Sequence, residues 1–232
     1  MLLQEQMKQN VFSYNERTII NFILEKQEKI KDYSTKMIGD ETYTAPSTVI
    51  RIHHDTLQNA IQILRKASVV KVFAVANLNF IGEEFVFKLN RIHKRAYIEP
   101  TQDNQYQDAI MTTSDECAIC LSYSGETPTL LKTAHFLKEN KVPIIAITSL
   151  GKNSLSDLAT VSLNISTREK SFSKIAGFSS LESMNIILNI LYSCLFSLDY
   201  QTNLDYKIDV AKKVELNRKI DNEIIEEHLK KD

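Results

Sequence analysis

The stretch Ser122-Tyr-Ser-Gly-Glu-Thr-Pro-Thr129 places Ser122, Ser124, Thr127 and Thr129 around Gly125, directly after the apolar run Cys117-Ala-Ile-Cys-Leu121. Helix-period residues from Thr129 to Glu139 follow, so the hydroxyls fall where a buried strand ends and a helix begins. A helix N-terminus carries unpaired N–H groups and a partial positive charge, and hydroxyls beside it add donors, an arrangement that suits an anion such as phosphate. The same residue types also favour a plain helix cap, so the pattern admits both an anion cradle and a capped start. A second polar turn, Thr148-Ser-Leu-Gly-Lys-Asn-Ser154, follows the apolar run Pro143 to Ile147 and would bring Ser149 to the same crevice.

Other chemistry has less support. Cys117 and Cys120 form a C-x-x-C pair, but three residues along a strand point to opposite faces, so the two thiols are expected in the core and not on one metal. His53, His54, His93, His135 and His228 show no zinc spacing, and neither metal nor cofactor is expected. Phosphoryl-transfer apparatus is lacking, with no G-x-x-x-x-G-K-[ST] loop. For proton transfer between sugar carbons the candidate base is Glu182, while Glu126 reads as a helix-start charge and Glu169 as a loop charge.

The elements that must position these residues follow from periodicity. Val69 to Ala76, Ala118 to Leu121, Pro143 to Ile147 and Ala159 to Leu163 are short apolar runs, separated by helical patterns over Phe80 to Ile92 and Thr129 to Glu139. That alternation predicts an α/β fold with a mostly parallel sheet flanked by helices, in which ligands sit at the carboxyl ends of strands. Phe178 to Leu198 predicts one long apolar helix, and the charged stretch from Asp205 to Asp232 a surface helix.

The composition fits such a fold: 232 residues, 43% hydrophobic, with a net charge of -1, are enough for one well-buried domain plus a smaller one. No signal-peptide pattern or membrane-spanning run is read, and the cysteines, Cys117, Cys120 and Cys194, suit a reducing compartment, so a cytoplasmic protein without membrane contact is expected.

Residues 1–52 read as a separate all-helical unit. Ser13-Tyr-Asn-Glu16 is a capping-box pattern before Ile19, Ile20, Ile23, Leu24 and Ile30, and Tyr43-Thr-Ala-Pro-Ser-Thr48 opens a third short helix. Three short helices suggest a helix-turn-helix whose last helix would present Ser47, Thr48 and Arg51 to DNA. Seven basic residues (Lys8, Arg17, Lys26, Lys29, Lys31, Lys36, Arg51) balance seven acids (Glu5, Glu16, Glu25, Glu28, Asp32, Asp40, Glu41). A neutral head gains little from phosphate neutralisation and would need a dimer reading two half-sites. A generic small helical domain fits the same pattern.

Both ends of the chain match one family. Asn15-Glu-Arg-Thr-Ile-Ile-Asn-Phe-Ile-Leu24 with Thr44-Ala-Pro-Ser-Thr-Val-Ile-Arg51 resembles the DNA-binding head of the RpiR-type (MurR/RpiR) transcription regulators. Ser122-Tyr-Ser-Gly-Glu-Thr127 with Ala146-Ile-Thr-Ser149 is similar to their sugar isomerase (SIS) domain, and similarity continues through Thr167-Arg-Glu-Lys170, Phe178-Ser-Ser180 and Leu191-Tyr192. The resemblance implies a bacterial regulator of sugar or amino-sugar metabolism, with a helix-turn-helix domain at 1–52 and an SIS domain at 53–232. Its implied partners are operator DNA and a phosphosugar effector, in a homodimer or homotetramer. Carried over by residue, Ser122, Ser124 and Thr127 would hold the phosphate, Gly125 would allow close backbone approach and Ser149 would line the crevice. SIS domains also occur in phosphosugar isomerases and lyases, and a scaffold that has lost its ligand is a further alternative.

The chain departs from the family pattern in two places. Ala74 and Ala76 stand where the first ligand loop has glycines, and Leu78 and Asn79 where it has serines, so the pocket is expected to be narrower or to use the amides of Asn77 and Asn79. Between Ile52 and His53 the rest of the family's DNA-binding domain and its helical linker are missing, so either the chain lacks them or, the favoured reading, the sequence joins two stretches across that linker.

Overall fold

Short β-branched and apolar runs form a single parallel sheet, with β3 buried on both faces and the edge strand β2 exposing Tyr97. The computed structural model describes residues 54–166, 169, 170, 173 and 175–214, together with the isolated helical positions Phe22, Glu25 and Glu41. After helix α1 (His54–Lys66) the chain runs through β1 (Val70–Phe73), α2 (Leu78–Asn90), β2 (Ala96–Ile98), α3 (Gln102–Met111) and β3 (Cys117–Leu121). It continues as α4 (Pro128–Glu139), β4 (Ile144–Ser149), α5 (Ser154–Leu158), β5 (Val161–Ile165), α6 (Phe178–Leu198) and α7 (Tyr200–Val214). The sheet order is β2-β1-β3-β4-β5. Every pairing is parallel, with Val70 opposite both Ala96 and Cys117, Ala118 opposite Ile144, and Ile145 opposite Val161.

The sheet divides the core in two. On one face Val72, Cys117, Ile119, Leu121, Ile147 and Leu163 pack against Leu64 of α1, Ile81 and Phe85 of α2, and Met184, Ile187 and Leu191 of α6. On the other, Phe73, Ala118, Cys120 and Ala146 meet Ala109 of α3, Leu130, Ala134 and Leu137 of α4, and Leu155 of α5. Alternate residues of β3 therefore serve opposite cores, as strand geometry requires. Cys117 and Cys120 are both fully buried and lie on different faces, which establishes the packing reading of the C-x-x-C pair.

Helix α6 spans the residues its periodicity predicts. It is long and apolar enough to cross a membrane by length and composition alone, but Met184, Ile187, Leu188 and Leu191 are buried in the core, so it is a core helix of the domain. Near its middle, α2 comes close to the sheet at Gly82, where an added Cβ would lie 2.6 Å from Ile98 Cδ1 and 3.1 Å from Val72 Cγ1.

Some boundaries differ from the sequence reading. The run Val69 to Ala76 yields only Val70–Phe73 as strand, because β1 has its last pairing at Phe73 opposite Cys120 and Ala76 then turns into the left-handed region at φ 54°. Strand β4 runs on to Ser149, which pairs with Ile165. Strand β5 begins at Val161, since Ala159 still caps α5 through its N–H to the Leu155 carbonyl. Helix α7 starts at Tyr200, ahead of the expected Asp205.

Candidate functional site

In a sheet of order 2-1-3-4-5 the chain leaves β1 toward one edge and returns at β3 toward the other, so the connections after β1 and β3 diverge and leave a crevice at their carboxyl ends. The two loops that flank this switch point are Ala74 to Asn77 and Ser122 to Thr127. Topology thus places at one switch point the residues that the sequence singled out, Asn77 at the end of the first loop with Asn79 in the first turn of α2, and the hydroxyl cluster in the second loop.

The hydroxyl loop is organised internally. Ser122, 1% exposed, has its Oγ 2.9 Å from Thr127 Oγ1 and accepts the Gly125 amide at 3.1 Å. Ser124 Oγ accepts the Glu126 amide at 3.1 Å. Gly125 adopts φ 69°, a conformation that costs a residue with a Cβ about 1–2 kcal/mol. Thr127 occupies the N-cap of α4 with Pro128 opening the helix, yet its side chain makes no capping hydrogen bond and no acidic residue sits in the first turn. Thr127 Oγ1 lies against Ser122 Oγ and does not cap the helix, so the positive end of a twelve-residue helix stands beside three hydroxyl residues.

The neighbouring loop braces this one. The Leu155 amide donates to the Gly125 carbonyl at 3.0 Å, and the Ser149 amide donates to the Tyr123 carbonyl at 3.0 Å. Asn153, 6% exposed, caps α5 by accepting the Ser156 amide at 2.9 Å. Glu126 accepts the Ser154 amide at 2.7 Å, and that backbone hydrogen bond, with a further one from the Ser154 side chain, lowers its pKa. Glu126 is thus a helix-start charge, but at the N-terminus of α5 and not in the first turn of α4.

One alanine of the first loop adopts a conformation that glycine favours. Ala76 holds the left-handed conformation at φ 54°, and the Ala74 carbonyl is fixed by Nε2 of the fully buried Gln105 at 2.7 Å. That amide also donates to the Glu99 carbonyl at 2.8 Å. Asn77 is exposed at the N-cap of α2 and makes no side-chain cap bond, while Asn79 is half-buried with a buried Oδ1 that has no hydrogen-bond partner.

Sequence reasoning missed the part played by Glu169. Its Oε1 accepts the Ser179 amide at 2.6 Å and the Ser179 hydroxyl at 2.9 Å, and its Oε2 accepts the Ser180 hydroxyl at 2.5 Å, so its carboxylate closes the N-terminus of α6. Burial alone would raise the pKa of this group, but the hydrogen bonds from Ser180 and Ser179 outweigh it and the net shift is downward. A glutamate ten residues before Ser-Ser at a predicted helix start was the available signal. Glu182 is exposed on α6. Ser47, Thr48 and Arg51 lie outside the described residues. Among the described residues no group of His, Cys, Asp and Glu is placed to hold a metal ion.

A doubly wound parallel domain with hydroxyl residues beside a helix terminus at its switch point defines a class of α/β modules whose ligands sit at the carboxyl ends of strands. The SIS domain family matches residues 63–193, more than half of the chain, and the chain belongs to that family. Among curated proteins it is 23% identical over 181 residues to the uncharacterized HTH-type transcriptional regulator YbbH of Bacillus subtilis, covering 77% of this chain and 63% of the relative. The chain thus spans less than two thirds of that relative's length. Among solved structures, the Vibrio vulnificus NanR protein complexed with ManNAc-6P superposes with a TM-score of 0.64 at 18% identity, covering 92% of this chain and 98% of that one. The sugar isomerase domain of an RpiR transcription factor from Sphaerobacter thermophilus gives 0.61 at 14% identity, covering 69% and 87%.

Proposed function

We propose that the chain is a cytoplasmic transcriptional regulator of the RpiR type, with a DNA-binding head in residues 1–52 and a phosphosugar sensor in residues 53–232. The observation that carries the sensor assignment is the uncapped N-terminus of α4, with Ser122, Ser124 and Thr127 gathered beside it at the switch point. The relatives named as HTH-type regulators support the head, as does the resemblance of residues 15–24 and 44–51 to the family's DNA-binding segment.

In this reading the phosphate sits on the first turn of α4, with Ser122, Ser124 and Thr127 as hydroxyl partners. Gly125 brings the backbone close, and Ser149, Asn77 and Asn79 line the sugar side. Operator contacts fall to Ser47, Thr48 and Arg51, paired across a homo-oligomer. Effector control requires the phosphosugar to bind one arrangement of the heads more tightly, and about 1.4 kcal/mol of difference changes operator occupancy tenfold.

Thermal unfolding against a panel of sugar phosphates and their unphosphorylated sugars tests the sensor. A phosphosugar at a hundred times its Kd should add about 2.7 kcal/mol of stability and be recovered unchanged, and Ser124→Ala should remove most of that effect. Equal stabilisation by the unphosphorylated sugar, or an undiminished effect in Ser124→Ala, would refute the assignment, and conversion of the sugar would make the domain an enzyme.

A further inference from the structure

The start of α6 is a second helix terminus with serines beside it, and the chain fills it with its own carboxylate, that of Glu169. The other end of the same residue reaches the hydroxyl loop, since the Glu169 carbonyl accepts the Tyr123 hydroxyl at 2.5 Å. Tyr123 stands between Ser122 and Ser124, and its own carbonyl accepts the Ser149 amide at 3.0 Å and the Thr148 hydroxyl at 3.4 Å. One residue therefore joins the first turn of α6 to the middle of the loop.

We propose that Glu169 is a positioning residue for the anion loop: its carboxylate, fixed on Ser179 and Ser180, places the carbonyl that holds Tyr123, and so sets the backbone that carries Ser122 and Ser124. The inference rests on the phosphosugar reading of that loop. Both carboxylate oxygens accept hydrogen bonds from α6, which suits an anchor better than a proton-transfer base. Ser180 is itself buried, so the anchor is set in the packed part of the fold and not on a surface turn. Tyr123 is half-buried and packs against the core, which lets its ring stay in place when the hydroxyl is removed.

The test is calorimetric titration of the whole chain with N-acetylmannosamine 6-phosphate and with inorganic phosphate, with the unfolding midpoint of each variant recorded without ligand. Tyr123→Phe and Glu169→Ala should each weaken binding about fivefold to tenfold, as expected for losing one well-placed hydrogen bond. Because the two act through one contact, the double variant should bind about as well as the weaker single variant. Glu169→Gln, which keeps the side-chain length, serves if the alanine variant fails to fold.

Binding within about twofold of the parent in Tyr123→Phe and in the Glu169 variant, or losses that simply multiply in the double variant, would overturn the positioning role. If the parent binds both probes and Ser124→Ala does not, that result defeats the Glu169 inference alone. If the parent binds neither probe, the phosphosugar reading falls and this inference falls with it.

Discussion

Asn153 lies so close to Gly125 that a Cβ on the glycine would come within 2.0 Å of the asparagine Oδ1 and 2.8 Å of its Cβ. The hydroxyl loop and the start of α5 are in effect one packed unit, with the glycine's missing side chain as the condition for their contact. Gly125→Ala should cost about 2–3 kcal/mol, from the left-handed backbone and the collision together, and abolish anion binding. Urea titration of Gly125→Ala with and without Asn153→Ala checks this. The second change removes the clash with Oδ1 but leaves the Cβ at 2.8 Å, so it should recover part of the collision loss and the pair should be less damaging than the sum.

Ala76 at φ 54° gives the opposite expectation. Glycine is comfortable there and alanine is not, so Ala76→Gly should stabilise the domain by about 0.5–1 kcal/mol in spite of the added freedom of the unfolded chain. The unfolding midpoint should rise by about 1–4 °C for a protein of this size.

The lowered pKa of Glu169 has a definite sign in linkage. A carboxyl that is more acidic folded than unfolded stabilises above its unfolded value of about 4.3, and that contribution disappears as pH falls through the folded value. Glu169→Gln should therefore flatten the stability profile on the acid side of about pH 4.3 while leaving its shape near neutrality unchanged. Glu99, Asp115 and Glu126 are also shifted downward, so the comparison of parent with variant, and not the parent profile alone, isolates Glu169.

Burial pushes the thiols of Cys117 and Cys120 up to about 12 and that of Cys194 to about 11. The thiolate is the reactive form, so iodoacetamide at neutral pH should label all three only as fast as the domain opens. Mass spectrometry over time, with and without urea below the transition, checks this. Prompt labelling of Cys117 or Cys120 in the absence of urea would contradict the packing described.

Much of the site was legible because strand ends announce themselves: a fully apolar run stopping at Leu121 and turning to Ser122 fixes both the element and the end at which a ligand could sit. Helix α6 was legible for the same kind of reason, its apolar periodicity. Strand β2 was not, since Ala96-Tyr-Ile98 is three residues long with an exposed Tyr97, and an edge strand of that length carries almost no period. Helix α3 reads as polar sequence, and its one fully buried amide, Gln105, is explained only by the Ala74 and Glu99 carbonyls it serves. The links from Glu169 to Tyr123 and from Asn153 to Gly125 join residues far apart in the chain, which no local pattern can reveal.

Strand β3 pairs with β1, two strands earlier, and with the following strand β4, its registers joining Cys117 to Val70 and Ala118 to Ile144 across helical crossovers. Such non-local pairings make a chain slow to fold, because distant segments must meet before any strand contact repays the lost chain entropy. During synthesis, a nascent chain that has emerged only as far as Glu139 holds the whole hydroxyl loop and α4 but lacks the β4 backbone on which β3 and Tyr123 rest. A sugar phosphate that binds this loop as proposed would therefore need the finished domain, and supplied during translation it should leave folding yield unchanged until β4 has left the ribosome.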